Sequence, residues 1–126
     1  MTKRVLIVDD CDVTLKVLSR VMSDLGFEAI EADSADGARE ALDSEHTPEL
    51  ILLDWIMPGM NGLDLIGWLR TNSRYRTTPI VMVTANDGIS QVAQALSAGA
   101  NEYIIKPFTR ESMEEKLSML GLYDQE

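Results

Sequence analysis

The sequence predicts one α/β domain in which five strands alternate with five helices. Short apolar runs are separated by longer stretches of helical spacing, and three of the runs are near-continuously aliphatic, as befits strands covered on both faces of a parallel sheet. A length of 126 residues with 45% hydrophobic and 25% charged residues suits a single core. The runs are Val5 to Val8, the weaker Glu28 to Ala32, Leu50 to Leu53, Ile80 to Val83, and Tyr103 to Ile105. Between them, Leu15, Leu18, Met22 and Leu25 recur at helical spacing, as do Ala35, Ala38, Ala41 and Leu42. Leu65, Ile66 and Leu69 mark a third helix, Ile89, Val92, Ala93 and Leu96 a fourth, and Met113, Leu117 and Leu120 a fifth. Gly26 and Gly99 stand where left-handed C-caps favour glycine, and Ser34 stands as an N-cap.

Right-handed crossovers put helices on both faces of such a sheet, and five strands commonly take the order 2-1-3-4-5, the doubly wound flavodoxin-like arrangement. Strands 1 and 3 are then neighbours, and ligands bind beyond their carboxyl ends. No linker, repeat or low-complexity tract interrupts the pattern, so residues 1–126 are expected to form one domain with no second one attached.

Charge and cysteine usage narrow the function. Eleven Lys and Arg against 21 Asp and Glu give a net charge of −10, which argues against binding DNA or an acidic membrane surface. Cys11 has no second cysteine to pair with, and one Cys with one His, His46, cannot build a structural zinc site. The apolar run at the N-terminus ends in two aspartates where a signal peptide needs about 7 to 15 apolar residues, and no run approaches the roughly 20 that cross a bilayer. A cytoplasmic location is expected.

Asp9 and Asp10 follow strand 1 and Asp54 follows strand 3, so the predicted topology gathers three carboxylates at one sheet edge. Like charges this close raise one another's pKa or demand a cation, and oxygen donors without His or Cys suit a hard ion such as Mg²⁺. Thr84 closes strand 4 and Lys106 follows strand 5, bringing a hydroxyl and an ammonium that can hold phosphoryl oxygens. Singly, each has an ordinary explanation: a helix cap, a strand residue, a solvated lysine. Five such residues at the ends of four strands point to phosphoryl chemistry.

In these segments the sequence resembles the receiver domain of two-component response regulators, most closely the single-domain kind typified by chemotaxis regulators. The matching segments are VLIVDD at 5–10, LILLDWIMPGMNGLDL at 50–65, VMVTA at 81–85 and AGANEYIIKPF at 98–108. The resemblance implies that Asp54 accepts a phosphoryl group from the phosphohistidine of a histidine kinase or phosphotransfer protein. It implies direct Mg²⁺ binding by Asp10, a largely water-mediated role for Asp9, and a further ligand in the backbone carbonyl of Ile56. Lys106 and Thr84 would stabilise the transferred group, Thr84 and Tyr103 would form the switch, and Lys106–Pro107 would be a cis peptide. A monomer is expected, catalysing only its own phosphorylation and dephosphorylation and docking a downstream protein on helix 4, strand 5 and helix 5. A phosphorelay intermediate, a phosphate sink, a constitutive binding module and a small phosphatase on the same sheet are the alternatives. Against an enzyme on this sheet, whether nucleotide-binding protein or phosphatase, neither glycine-rich nucleotide motif occurs, and the segment DWIM lacks a second aspartate two residues after Asp54.

Several positions depart from the pattern or stand outside it. Ile56 and Asn86 stand at positions where chemotaxis regulators often carry polar or acidic residues, and the aliphatic Ile56, by hindering the hydrolytic water, predicts slower loss of the phosphoryl group. Helix 4 displays Ser90, Gln91, Gln94 and Ser97 without a charge, a face that is easily desolvated. The basic segment Arg70 to Thr78, with Arg74, Tyr75 and Arg76, reads as a solvated loop before it reads as a nucleic-acid or cyclic-dinucleotide contact. Cys11 beside the acidic pair is expected to have a raised pKa, His46 to lie on the surface, Trp55 to report on the metal, and Trp68 to pack in or near the core.

Overall fold

In the computed structural model, residues 3–44, 47–54, 62–85, 89–106 and 108–123 are described. Strands β1 (Lys3–Val8), β2 (Phe27–Ala32), β3 (Leu50–Asp54), β4 (Ile80–Ala85) and β5 (Glu102–Lys106) alternate with helices α1 (Asp12–Asp24), α2 (Ala35–Ser44), α3 (Gly62–Thr71), α4 (Ile89–Ala98) and α5 (Arg110–Met119). All pairings are parallel and the order is β2-β1-β3-β4-β5, as the sequence predicts. The register sets Val8 beside Leu53, so Asp9 and Asp54 come next on adjacent strands.

Alternation along the strands divides the core into two layers. Leu6, Val8, Ile51, Leu53, Ile80 and Met82 face α2, α3 and α4, whereas Val5, Ile7, Leu50, Leu52, Val81 and Val83 face α1 and α5. Each such side chain, wholly removed from water, contributes roughly 1.5–3 kcal/mol of burial free energy, which is why the three central strands are legible as unbroken aliphatic runs. The edge strand β2 is covered less completely and reads more weakly, and it begins one residue earlier than expected because Phe27 joins the α1/α5 layer.

Local chemistry closes the helices. The Ser34 hydroxyl accepts the Gly37 N–H at 3.0 Å, confirming the N-cap of α2. Thr109 and Ser112 form a reciprocal capping box at α5, a feature the apolar pattern alone does not reveal.

The segment after α3 corrects the reading of a solvated loop. Tyr75 is 0% exposed, its hydroxyl donates to the Leu42 carbonyl at 3.0 Å, and its ring stacks on the partly buried Trp68 with centroids 5.9 Å apart. Arg70 donates to the carbonyls of Gly99, Tyr75 and Arg76 and to Asn101 Oδ1, at 2.8–3.0 Å. Burial pulls its pKa below the ordinary guanidinium value. A guanidinium so occupied ties two loops together, leaving Arg74 and Arg76 as the exposed cations of this segment.

Candidate functional site

A parallel sheet points the carboxyl ends of its strands the same way, and the predicted acidic residues converge there. Asp9 is 1% exposed, Asp54 is half-buried and Asp10 is exposed. A carboxylate oxygen from each lies within 4.8 Å of the others. Asp9 is fixed from several sides: its N–H donates to the Ala32 carbonyl at 3.1 Å, its Oδ1 accepts the Cys11 N–H at 2.9 Å, and its Oδ2 lies 3.3 Å from Lys106 Nζ. The Lys106–Asp9 ion pair joins the ends of β5 and β1 across the sheet edge.

Three carboxylates and one ammonium leave an excess of about two negative charges. The donors are all hard oxygens, two of them with access to solvent, which is the chemistry that binds Mg²⁺ with part of its water shell retained. Asp9, Asp10 and Asp54 therefore fit a divalent cation on charge and donor type.

Thr84 stands one residue past Val83, the partner of Asp54, and pairs with Ile105, while Ala85 pairs with Lys106. Tyr103 lies farther from the acidic edge, beside Met82 on β4 and half-buried against the α2/α3/α4 layer. Thr84 and Tyr103 thus share one sheet face as diagonal neighbours. Ile56, Asn86, Pro107, Trp55 and His46 lie outside the described residues, as do the side chains of Ser90 and Gln91. Gln94 and Ser97 on α4 are exposed, as expected.

Two features of α1 depart from expectation. The Cys11 thiol is pulled below its ordinary pKa, because the Thr14 side chain first, and then the N–H groups of Thr14 and Val13, favour its thiolate more than slight desolvation and the field of Asp9 oppose it. Cys11 is the N-cap of α1, where free N–H groups favour a thiolate. Val13 and Val17, one turn apart, are 71% and 48% exposed. Their spacing is legible in the sequence, but the stripe of Leu15, Leu18 and Met22 accounts for the helix without them.

Residues 5–118 match the response regulator receiver domain family. The chain is 41% identical over 123 residues to the chemotaxis protein CheY1 of Helicobacter pylori, covering 96% of this chain and 99% of the relative. It is 36% identical over 118 residues to the chemotaxis protein CheY of Pseudomonas aeruginosa, covering 93% and 94%. The chemotaxis response regulator CheY4 of Vibrio cholerae superposes with a TM-score of 0.87 at 27% identity, covering 95% of this chain and 99% of that one. A CheY-like receiver domain protein of Methanospirillum hungatei gives 0.85 at 28% identity, covering 95% and 94%. Strand order, the acidic edge and sequence similarity across nearly the whole chain agree, and the chain belongs to the response regulator receiver domain family, whose members act as signalling proteins rather than classical enzymes.

Proposed function

We propose that this domain is a phosphorylation-controlled switch in which Asp54 accepts a phosphoryl group from the phosphohistidine of a kinase or phosphotransfer protein. The observation that carries this reading is the convergence of Asp9, Asp10 and Asp54 within 4.8 Å, with Lys106 paired to Asp9 at the same edge. A carboxylate oxygen of Asp54 attacks phosphorus in line with the departing imidazole, the P–N bond breaks, and an acyl phosphate forms on Asp54. Lys106 and Thr84 offer an ammonium and a hydroxyl to the equatorial oxygens. Asp9, Asp10 and Asp54 would hold Mg²⁺, with the Ile56 carbonyl implied as a further ligand, and the ion when bound supplies positive charge to the transferred group.

Thr84 drawn toward the new phosphoryl group frees space beside its diagonal neighbour Tyr103, whose rotation alters the surface of α4, β5 and α5. The exposed Leu96, Ile105 and Met119 offer apolar contacts to a downstream protein there. The chemotaxis relatives favour a role in chemotactic signalling, the acidic charge favours a monomer that leaves nucleic acid and membrane alone, and the lone cysteine fits a reducing cytoplasm. No helix among the described residues is long and apolar enough to cross a membrane.

Intact mass after incubation with acetyl phosphate tests the chemistry without the partner. One Mg²⁺-dependent phosphoryl adduct is expected on the parent and none on Asp54→Asn. An adduct that persists in the variant refutes Asp54 as acceptor.

A further inference from the structure

Tyr103 is held from the opposite layer of the molecule. Its ring packs on the α2/α3/α4 side of the sheet, yet Lys116, on α5 across the sheet, places Nζ 4.8 Å from the ring centroid. β5 is the edge strand, so a long side chain from α5 can pass around it. The same ammonium lies 2.9 Å from Glu102 Oε1, and Glu102 immediately precedes Tyr103. Its Oε1 also accepts the Tyr103 N–H at 3.1 Å. One carboxylate oxygen therefore fixes both the backbone of Tyr103 and the cation that covers its ring, and both charged side chains are largely shielded from solvent.

We propose that Glu102 and Lys116 form a latch on Tyr103 that biases the domain toward its resting conformation, Lys116 acting as a positioning residue for the switch. The inference rests on Tyr103 being the moving element of the proposed function. A ring that turns away from Lys116 forfeits a cation–π contact and leaves the ammonium with Glu102 alone. Whatever favours the turned ring, phosphorylation included, works against that loss. Removing the ammonium removes the bias, and by linkage the site at Asp54 then takes a phosphoryl mimic more tightly. A partly exposed cation–π contact corresponds to roughly a 2- to 5-fold change in such an equilibrium.

The sign of the effect separates the latch from plain electrostatics, because deleting a positive charge weakens attraction for an anion through space. Calorimetric titration with beryllofluoride at saturating Mg²⁺ provides the measurement. Lys116→Met, which keeps the aliphatic stem, is expected to bind roughly 2- to 5-fold more tightly than the parent. Glu102→Gln should fall between them, and Lys116→Arg should restore parental affinity by keeping a cation over the ring. In a Tyr103→Ala background Lys116→Met should no longer tighten binding. Unchanged or weaker binding by Lys116→Met overturns the latch, as does equal tightening without Tyr103. A parent that fails to bind beryllofluoride removes the phosphoacceptor reading itself and the latch with it, whereas a parent that binds while Lys116→Met does not tighten removes the latch alone.

Discussion

Gly99 joins a backbone requirement to a side-chain one. Its φ of 127° lies where residues with a Cβ are strained, and a Cβ built there would meet Arg70 Cγ at 2.6 Å and Nε at 2.9 Å. Arg70 passes so close because its guanidinium reaches the Gly99 carbonyl and the Asn101 amide oxygen, which also accepts the Ile80 N–H at 2.8 Å. Gly99→Ala must strain the backbone and displace the near end of the arginine. A loss of about 1–3 kcal/mol is expected in urea unfolding, and the double variant with Arg70→Ala should recover the steric part but not the backbone part. If Gly99→Ala unfolds at the parental midpoint, the close approach is not a constraint. The sequence marks Gly99 as a helix end, but Arg70 lies 29 residues away, and local spacing carries no trace of that partner.

Helix α1 has two separable faces. Leu15, Leu18 and Met22 bury it against the sheet, while Val13 and Val17 stand out of that stripe, Val13 in the first turn of the helix that follows Asp9 and Asp10. An exposed apolar pair costs solubility unless something covers it, and under the proposed function a protein delivering a phosphoryl group to Asp54 must approach this end of the sheet. Val13→Glu should therefore slow transfer from the phosphorylated donor protein at least about tenfold, the effect of losing roughly 1.4 kcal/mol of contact. The rate with acetyl phosphate, which needs no docking surface, should be unchanged. Equal slowing with both donors would place the defect in the chemistry instead. At this scale the central strands were legible because burial on both faces demands unbroken aliphatic runs, and the acidic cluster was legible because it follows those runs directly. Tyr75 was not: three arginines around it imitate a solvated loop, and its anchor, the Leu42 carbonyl at the far end of α2, is a tertiary contact. Cys11 departs from its sequence expectation for a related reason, since the charge of Asp9 is visible in sequence whereas the polar groups at the start of α1 gather round the thiol only once the helix forms.

The whole molecule carries a charge of −10, and part of it sits where the fold brings Asp9, Asp10 and Asp54 together. Lys106 offsets part of that repulsion through Asp9, while Asp10 stays exposed. Folding therefore creates a destabilised acidic edge, and an ion that binds only the folded form stabilises the protein by mass action, by about 2.7 kcal/mol at a hundredfold excess over its dissociation constant. Screening by simple salt relieves the diffuse charge but does not populate a site. Mg²⁺ is thus expected to raise the melting temperature above that in NaCl of equal ionic strength. Asp10→Asn should behave in the opposite way in each condition: in EDTA it melts above the parent because one like charge is gone from the cluster, and with Mg²⁺ it loses the extra increment. These paired shifts, read by thermal unfolding, separate a built cation site from a generally acidic surface. If Mg²⁺ stabilised the parent and Asp10→Asn equally, the ion would be acting on the molecule's total charge, and Asp10 would not be one of its ligands.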